Sequence, residues 1–246
     1  MALELKPATT DVVVLCGGKG TRLGGLTKNT PKPLLPIGEH PFLFHLLCRM
    51  RKEGFGRFII TTHYLAEKFQ AFLSKYSDFL RDTILVPEEE PLGTGGALRN
   101  AAMYIQSEAF IGMNGDSYIS QPLVPVVESH ARMGASFTMV AARAENVLGG
   151  AESKGALDIG MQNRIIGFSP SGRSRGWINA GIYVLDRTMV SSWPSGRYDL
   201  EGNLMTLLGP AAGRVFCSEG RLLDIGTPQC YAKADEELSL FDLRNP

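Results

Sequence analysis

The 246-residue chain has no excess of charge of either sign, since 25 lysines and arginines balance 25 aspartates and glutamates. This balance argues against a broad electrostatic grip on nucleic acid or on an anionic membrane surface. No apolar run approaches the roughly 18 residues that a membrane-spanning helix needs, and residues 1–11 contain no apolar signal core. We therefore expect no nucleic-acid partner and no membrane partner.

Cysteine is also scarce, and none of the four cysteines forms a C-x-x-C pair; they are Cys16, Cys48, Cys217 and Cys230. Without that spacing a zinc site is disfavoured, and the residues are interpreted as reduced, mostly structural thiols. Reduced thiols are typical of a cytoplasmic protein. We therefore predict a cytoplasmic location.

The most informative stretch is residues 12–33, V-V-V-L-C-G-G-K-G-T-R-L-G-G-L-T-K-N-T-P-K-P. Its β-branched run Val12–Cys16 is too short for a helix and predicts a buried strand. The glycines that follow let backbone N–H groups approach an anion, usually a phosphate. Arg22 can grip a phosphate through two hydrogen bonds, and Lys32 supplies a compact charge held between two prolines. The stretch therefore predicts a phosphate-binding site.

Two better-known phosphate motifs, and a plain tight turn, are the alternatives. A Walker A loop requires G-x-x-x-x-G-K-[ST], and this stretch contains no Gly-Lys-Ser/Thr. The dinucleotide fingerprint G-x-G-x-x-G is matched at Gly18 and Gly20, but Leu23 takes the place of the third glycine. A looser version through Gly24 would indicate a dinucleotide-dependent oxidoreductase, although prolines interrupt the helix that it requires.

Strands and helices alternate along the rest of the chain. We predict a second strand at Phe58–Thr62, a helix from the second glycine-rich turn through Ile105, and a hairpin between Gly155 and Phe168. Chemistry-bearing residues follow several strands. A second glycine-rich turn, L-G-T-G-G, comes after the predicted strand Ile84–Val86, and Asp116 comes after the predicted strand Phe110–Met113. In open α/β sheets, ligands bind at the carboxyl ends of the strands. A carboxylate there suits Mg²⁺, which takes one or two protein carboxylates and completes its shell with phosphates and water. The alternative for Asp116 is a helix cap.

The string G-G-K-G-T-R-L followed by T-P-K-P resembles the signature of the sugar-1-phosphate nucleotidyltransferases, which make nucleoside diphosphate sugars. The resemblance continues through L-G-T-G-G, N-G-D, N-A-G and D-I-G-T, and it runs from about Val12 to about Leu238. It implies an α/β, three-layer, Rossmann-like (GT-A-like) fold with a mixed, mostly parallel central sheet. We expect one domain over residues 1–246, with a nucleotide-binding part at about 10–120 and a sugar-phosphate-binding part at about 121–240.

The resemblance also implies roles for particular residues. Arg22 and Lys32 would act on the nucleotide phosphates, and Asp116 and Asp224 would hold Mg²⁺. The nucleotide would be bound by Leu15, Gly17, Gly18, Gly20, Thr21, Glu88, Gly93, Thr94 and Gly95. The sugar phosphate would be bound by Asn114, Asn179, Gly181 and Glu201, with Lys154 and Arg175 as further candidates. Glu201 has a second interpretation as a cap of the following helix.

One departure affects the sugar-phosphate side. Many members of the family have F-x-E-K before the sugar-binding strand, whereas this chain reads F-S-P-S at residues 168–171. Lys154, Arg173 or Arg175 would have to replace the missing lysine as the phosphate ligand. A subunit that binds nucleotide or nucleotide sugar without catalysis is the non-enzyme alternative.

Within the family, the short length and the segment G-W-I-N-A-G-I-Y resemble the bacterial D-glycero-D-manno-heptose 1-phosphate guanylyltransferases. This resemblance implies that GTP and a heptose 1-phosphate are the substrates, that a GDP-sugar for surface polysaccharide is the product, and that a homodimer is possible. Glu88 would suit guanine, whose Watson–Crick edge offers N–H donors, although acidic loops are often only solvated surface. Mannose 1-phosphate guanylyltransferase and N-acetylmuramic acid 1-phosphate uridylyltransferase remain the alternatives.

Overall fold

The structure, a computed structural model, describes residues 5–148, 155–169, 176–209 and 213–240. The strands are β1 (Val12–Leu15), β2 (Pro36–Ile37), β3 (His40–Pro41), β4 (Phe58–Thr62), β5 (Thr83–Pro87), β6 (Ala109–Asn114), β7 (Ser117–Ile119), β8 (Phe137–Arg143), β9 (Val147–Leu148), β10 (Ala156–Ile159), β11 (Ile165–Ser169), β12 (Trp177–Asp186), β13 (Arg214–Ser218) and β14 (Leu222–Asp224). The α-helices are α1 (Phe42–Lys52), α2 (Ala66–Lys75), α3 (Gly93–Ala101), α4 (Val124–Arg132), α5 (Arg187–Ser191), α6 (Leu200–Leu208) and α7 (Pro228–Leu240).

Nine of these strands form the central sheet, in which β11-β10-β12-β6-β1-β4-β5 lie side by side, while β8 pairs with β12 and β13 pairs with β8. The pairs β1–β4, β1–β6, β4–β5 and β8–β13 are parallel. Strand β12 is antiparallel to its three neighbours β6, β8 and β10, and β11 is antiparallel to β10. Seven of the nine strands therefore point the same way, which confirms the predicted mixed, mostly parallel sheet.

Helices cover both faces of this sheet. Consecutive side chains of a strand point to opposite faces, and apolar side chains on both faces need to be buried. Val12 and Val14 of β1 pack with α1, α2, α4 and α7 in one core, whereas Val13 packs with α3, α5 and α6 in the other. The three valines have no exposed surface. The two cores with the sheet between them are the three layers expected from the sequence.

Most of the predicted elements are confirmed to within one or two residues, and β4 agrees at both ends. The hairpin predicted between Gly155 and Phe168 is present as the antiparallel pair β10–β11. The helix expected to run through Ile105 is shorter, because α3 ends at Ala101 and Ala102–Tyr104 form a 3₁₀ turn. The sequence did not predict β13, or the three-stranded sheet β7-β14-β9 beside the central one.

The four cysteines agree with the expectation of reduced thiols. All four cysteines are unpaired; Cys16, Cys48 and Cys230 are buried and Cys217 is partly exposed. Burial raises the pKa of the Cys48 thiol to about 11, so this residue is an inert core thiol at neutral pH. Within the described residues, no helix combines the length and the apolar character required to cross a bilayer.

Candidate active site

A cavity of about 410 Å³ opens where the parallel strands β1, β4 and β6 end. Twelve residues that the sequence assigned to substrates or to Mg²⁺ line it: Leu15, Gly17, Gly18, Gly20, Thr21, Arg22, Lys32, Glu88, Gly93, Thr94, Asn114 and Asp116. The sequence reading missed seven other lining residues, namely Cys16, Pro33, Thr61, Pro91, Ala97, Asp199 and Gly226. Cys16 and Pro33 are direct neighbours of assigned residues, and four others lie two positions from one, so position close to a motif was the available signal.

The first glycine-rich turn forms one wall of the cavity. Gly20 has a positive φ of 64°, and a Cβ there would lie 3.0 Å from a Thr27 methyl and 3.1 Å from the Lys32 Cβ. Gly18 has no heavy atom within 4 Å of a Cβ position, so this turn is open to a ligand. Residues Thr21–Thr27 then form a 3₁₀ helix that breaks at Gly24. The turn therefore does not continue into the α-helix that a dinucleotide fingerprint requires.

Lys32 lies between two carboxylates at the phosphate end of the cavity. Its side chain is 7% exposed, and Nζ is 2.5 Å from Asp116 Oδ2 and 3.4 Å from Asp224 Oδ1. Burial acts to lower the pKa of Lys32, but the carboxylates of Asp116 and Asp224 outweigh it and hold this pKa above its ordinary value. The amine is therefore a fixed positive charge throughout the neutral pH range.

The small sheet brings the two aspartates together. Asp116 lies in the turn between β6 and β7, and Asp224 ends β14 directly opposite Ser117 in the antiparallel β7–β14 pair. The backbone N–H of Ile225 donates to the carbonyl of Asp116 at 3.1 Å, which fixes the ends of the two strands to each other. Strand pairing thus places two carboxylates that are far apart in the sequence beside one ammonium group.

Gly226 lies at the centre of this charged cluster. A Cβ at this position would lie 2.6 Å from Asp224 Oδ1, 3.0 Å from Lys32 Nζ and 3.1 Å from Arg22 Nη2. Its backbone N–H donates to Asp224 Oδ1 at 2.6 Å, which orients that carboxylate. Arg22, Lys32 and Asp224 therefore surround a space that only a residue without a side chain leaves open.

Within the described residues, no group of three or more His, Cys, Asp or Glu side chains could hold a metal ion. Asp116 and Asp224 form an oxygen pair that already shares one cation, the Lys32 ammonium. A pair of carboxylates is the donor set that Mg²⁺ takes when substrate phosphates and water complete its shell. The residues therefore fit the predicted ion, and the magnesium assignment remains a prediction.

Glu88 lines the same cavity, beside Gly17 of the first glycine-rich turn. Its side chain accepts the Leu92 N–H at Oε2 at 3.0 Å, while Oε1 is buried and has no hydrogen bond of good geometry to a described residue, although the Thr61 hydroxyl lies near this carboxyl. Burial raises the pKa of the Glu88 carboxyl above its ordinary value. The Cα of Gly17 faces this carboxylate, since a Cβ there would lie 3.3 Å from Oε1. A buried acceptor without a partner is what a ligand with an N–H donor would satisfy.

The second glycine-rich turn is held by the protein itself. The N–H groups of Gly95 and Gly96, at the start of α3, both donate to the carbonyl of Tyr198, at 3.1 and 3.2 Å. A Cβ on Gly95 would overlap the Tyr198 ring, so this glycine permits close packing of the two segments. Gly95 does not line the cavity, and the sequence could not distinguish a glycine that packs from one that contacts a ligand.

A buried hydrogen-bond chain lies behind this turn and includes two of the predicted sugar contacts. Asn179 Nδ2 donates to the Tyr183 hydroxyl at 2.8 Å, and that hydroxyl donates to Glu201 Oε1 at 2.9 Å. Glu201 Oε2 accepts the Thr94 hydroxyl at 2.6 Å. Burial, and then the charge of Glu201, raise the pKa of Tyr183 well above its ordinary value, so it stays a donor. Neither Asn179 nor Glu201 lines the cavity; both reach it through Thr94.

The remaining sugar-side predictions have different outcomes. Gly181 lies in an irregular part of β12 with a φ of 71°, and a Cβ there would collide with the side chain of Asn114. Asn114 lines the cavity, so Gly181 makes room for it. Lys154 and Arg175 lie outside the described residues, as does Arg173.

These features define an α/β protein with a ligand cavity at the carboxyl edge of its sheet, lined by the cations Arg22 and Lys32 and by the carboxylates Asp116 and Glu88. Residues 11–239 match the nucleotidyl transferase family, and the chain belongs to that family.

The chain is also similar to individual nucleotidyltransferases. The chain is 31% identical over 234 residues to mannose-1-phosphate guanylyltransferase of Mycobacterium tuberculosis, but it spans only 64% of the length of that protein. It is 28% identical over 222 residues to D-glycero-alpha-D-manno-heptose 1-phosphate guanylyltransferase of Campylobacter jejuni, of which it spans 96%. HddC from Yersinia pseudotuberculosis, solved in complex with GMP-PN, superimposes with a TM-score of 0.81 at 30% identity, and the match covers 93% of this chain and 99% of that one.

Proposed function

We propose that this protein transfers a guanylyl group from GTP to a sugar 1-phosphate, giving a GDP-sugar and pyrophosphate. The observation that carries the proposal is the cluster of Lys32, Asp116 and Asp224, with Arg22 beside it, at the open glycine turn. Such a cluster can neutralise and orient a chain of phosphates, which is the main requirement of phosphoryl-transfer catalysis.

The proposed reaction is a single displacement. A phosphate oxygen of the sugar 1-phosphate attacks the α-phosphorus of GTP and forms a new P–O bond, while the bond to the β-phosphate oxygen breaks and pyrophosphate leaves. Since the attacking oxygen is already anionic, no general base is needed, and no covalent intermediate with the protein forms. Lys32 neutralises charge at the α-phosphate, and Arg22 steadies the β- and γ-phosphates.

Asp116 and Asp224 are the residues that would hold Mg²⁺, which would supply further charge neutralisation on the phosphates when bound. Lys32 lies against the same carboxylates, so it holds them in place. Glu88 supports the choice of guanine: its carboxylate can accept both N1–H and the 2-amino group on the Watson–Crick edge of that base, whereas the same edge of uracil offers a single N–H donor. Glu88 and the Lys32 cluster would then contact the base and the phosphates of one nucleotide.

We further propose D-glycero-D-manno-heptose 1-phosphate as the acceptor, because the chain spans nearly the full length of a heptose 1-phosphate guanylyltransferase. Mannose 1-phosphate is the alternative acceptor, supported by the mycobacterial relative. A GDP-heptose for surface polysaccharide, made in the cytoplasm, is the matching biological product; the unpaired cysteines support that compartment. The single domain with its two parts, and a homodimer, remain predictions.

The test is a matrix of the four nucleoside triphosphates against heptose, mannose, glucose and N-acetylmuramic acid 1-phosphates, with products identified by mass. We expect a GDP-sugar from GTP, and the largest rate with the heptose. A uridylyl product from N-acetylmuramic acid 1-phosphate would replace the guanylyl assignment. Absence of pyrophosphate release from every pair, by a protein that still binds nucleotide, would indicate the non-catalytic sensing subunit.

A further inference from the structure

The segment 198–201 carries two carboxylates, Asp199 and Glu201, and their surroundings differ. Both oxygens of Glu201 are used inside the protein, one by the Tyr183 hydroxyl and the other by the Thr94 hydroxyl. Asp199 is exposed and lines the cavity, which Glu201 does not. The acid of this segment that is available to a ligand is therefore Asp199.

Asp199 is the N-cap residue of α6, where an aspartate side chain without a hydrogen bond is unusual. An aspartate at a helix N-cap commonly accepts a backbone N–H of the first turn, but the Asp199 side chain makes no such bond. The N–H of Leu200 donates instead to the Thr94 hydroxyl at 2.8 Å. The Asp199 carboxylate forms no hydrogen bond or ion pair with any described residue, so no group in the described part of the chain uses its acceptor capacity.

The carboxylate lies against the second glycine-rich turn. Its Oδ1 lies only 2.7 Å from the point that a Cβ on Gly93 would occupy. Gly93 follows Leu92, whose N–H is bound to Glu88 at 3.0 Å. Two consecutive residues therefore contact the two acids: Leu92 contacts Glu88, which we assign to the nucleobase, and Gly93 contacts Asp199. The two cations assigned to the phosphates, Arg22 and Lys32, lie instead beside Gly226, which belongs to a different segment of the chain.

The chemistry of a nucleotide limits what a carboxylate can contact. It repels the phosphates, and the N–H donors of the base are assigned to Glu88, so the remaining donors next to the base are the ribose hydroxyls. Two adjacent hydroxyls can donate to the two oxygens of one carboxylate, and hydrogen bonds to a charged acceptor are the stronger kind.

We infer that Asp199 binds the 2′- and 3′-hydroxyls of the nucleotide ribose, and that Glu201 is a positioning residue that holds Thr94. This inference rests on the proposed function, because it takes a nucleoside triphosphate as the ligand. The carboxylate would select ribonucleotides over deoxyribonucleotides, and Glu201 would act only through the Thr94 hydroxyl and the start of α3.

The test compares Asp199→Asn with the parent protein for binding of GTP, 2′-deoxy-GTP and 3′-deoxy-GTP by calorimetry, without sugar phosphate. We expect the parent to bind GTP about tenfold more tightly than either deoxynucleotide, the scale of one hydrogen bond to a charged acceptor. In Asp199→Asn this preference should shrink to about twofold or less. Asn is an equally good N-cap residue, so the melting temperature should stay unchanged.

Asp158→Asn is the matched control, because Asp158 is an exposed carboxylate of β10 that lines a separate surface groove beside Trp177. It should bind all three nucleotides as the parent does. An Asp199→Asn protein that keeps the parent's preference for GTP would overturn the inference. Unchanged nucleotide binding with a raised KM for the sugar 1-phosphate would also overturn it and assign the carboxylate to a hydroxyl of the acceptor.

The failure of this inference is distinguishable from failure of the proposed function. Calorimetry of nucleotide binding requires no turnover, whereas guanylyl transfer is scored by the mass of the product formed by the parent. A parent that makes a GDP-sugar but shows no ribose preference loses only the Asp199 assignment.

Discussion

The Nζ atom of Lys32 donates a 2.5 Å hydrogen bond to Oδ2 of Asp116, and the same nitrogen lies 3.4 Å from Oδ1 of Asp224. The lysine comes from a proline-flanked 3₁₀ turn, whereas the two acids come from the ends of paired strands. A single charged group therefore links three segments that are distant in the sequence, and it does so inside the cavity. The first prediction concerns this lysine.

Lys32→Ala should lower turnover by at least about a hundredfold, the scale of removing one preorganised charge contact. The raised pKa of Lys32 means that the folded state holds the proton more tightly than the unfolded chain. Its contribution to stability is therefore present at neutral pH and is lost only as pH rises above the ordinary lysine range through the raised pKa. The melting temperature of the variant at pH 7 should consequently fall, while circular dichroism still shows a folded protein.

Lys68→Ala is the matched control for this variant, because Lys68 is an exposed residue of α2 and alanine is a strong helix former. It should keep the parent's turnover and melting temperature. Near-normal turnover of Lys32→Ala would remove Lys32 from the mechanism, whatever happened to its stability.

Gly226→Ala should lower turnover by about tenfold or more, because its methyl group would lie 2.6 Å from Asp224 Oδ1 and 3.0 Å from Lys32 Nζ. Either the carboxylate or the ammonium must move, and small displacements of catalytic groups are expensive. Gly202→Ala is the contrasting control: Gly202 is exposed in α6, with nothing within 4 Å of its Cβ position. That variant should be more stable by up to about 1 kcal/mol and fully active. Equal activity of the two alanine variants would mean that the space beside Gly226 is not used.

Local patterns of the sequence were sufficient for the elements that surround the cavity. Val12–Leu15 could be predicted as a strand because a short β-branched run has few alternatives. The glycines after it indicated the ligand-binding end of the strand, because glycine lets the backbone of a turn approach a ligand closely. Glu88 could be assigned to the cavity from the same order of strand, acid and glycine-rich turn. These predictions required no knowledge of which strands pair.

The convergence of Asp116 with Asp224 could be predicted only from the family resemblance, because it depends on the pairing of β7 with β14. Each of these strands is three residues long, too short to show a hydrophobic period. The partners of Glu201 and Gly95 were equally inaccessible, since the sequence locates a residue in a motif but does not tell whether its side chain faces the ligand or the next segment. That is why Asp199, two positions before Glu201, was missed.

Asp116→Asn and Asp224→Asn should each weaken the dependence of turnover on Mg²⁺, because a neutral amide binds a hard divalent ion less well than a carboxylate. The measurement is a magnesium titration of turnover, together with calorimetric Mg²⁺ binding in the presence of nucleotide. Asp158→Asn, far along the chain on β10, serves as the control and should titrate like the parent. An unchanged titration for either active-site variant would show that this residue is not a ligand.

Glu88→Gln should make the free protein more stable at pH 7 while weakening its affinity for GTP. The pKa of Glu88 is raised by burial, so the folded state binds this proton more tightly than the unfolded chain does. Stability is therefore lost as pH rises from the ordinary glutamate pKa through the raised one, and a neutral glutamine avoids that loss. The gain in melting temperature should accordingly be present at pH 7 and should disappear at pH values below the ordinary glutamate range.

The loss of affinity should depend on the base. A carboxylate can accept both N1–H and the 2-amino group of guanine, whereas a glutamine offers one acceptor, so calorimetry should give a GTP affinity about tenfold lower for Glu88→Gln. Inosine triphosphate, which lacks the 2-amino group, should lose much less affinity on the same substitution. Equal losses for GTP and inosine triphosphate would mean that Glu88 does not contact the amino group. A lower melting temperature of Glu88→Gln at pH 7 would mean that burial of the charge is compensated within the free protein.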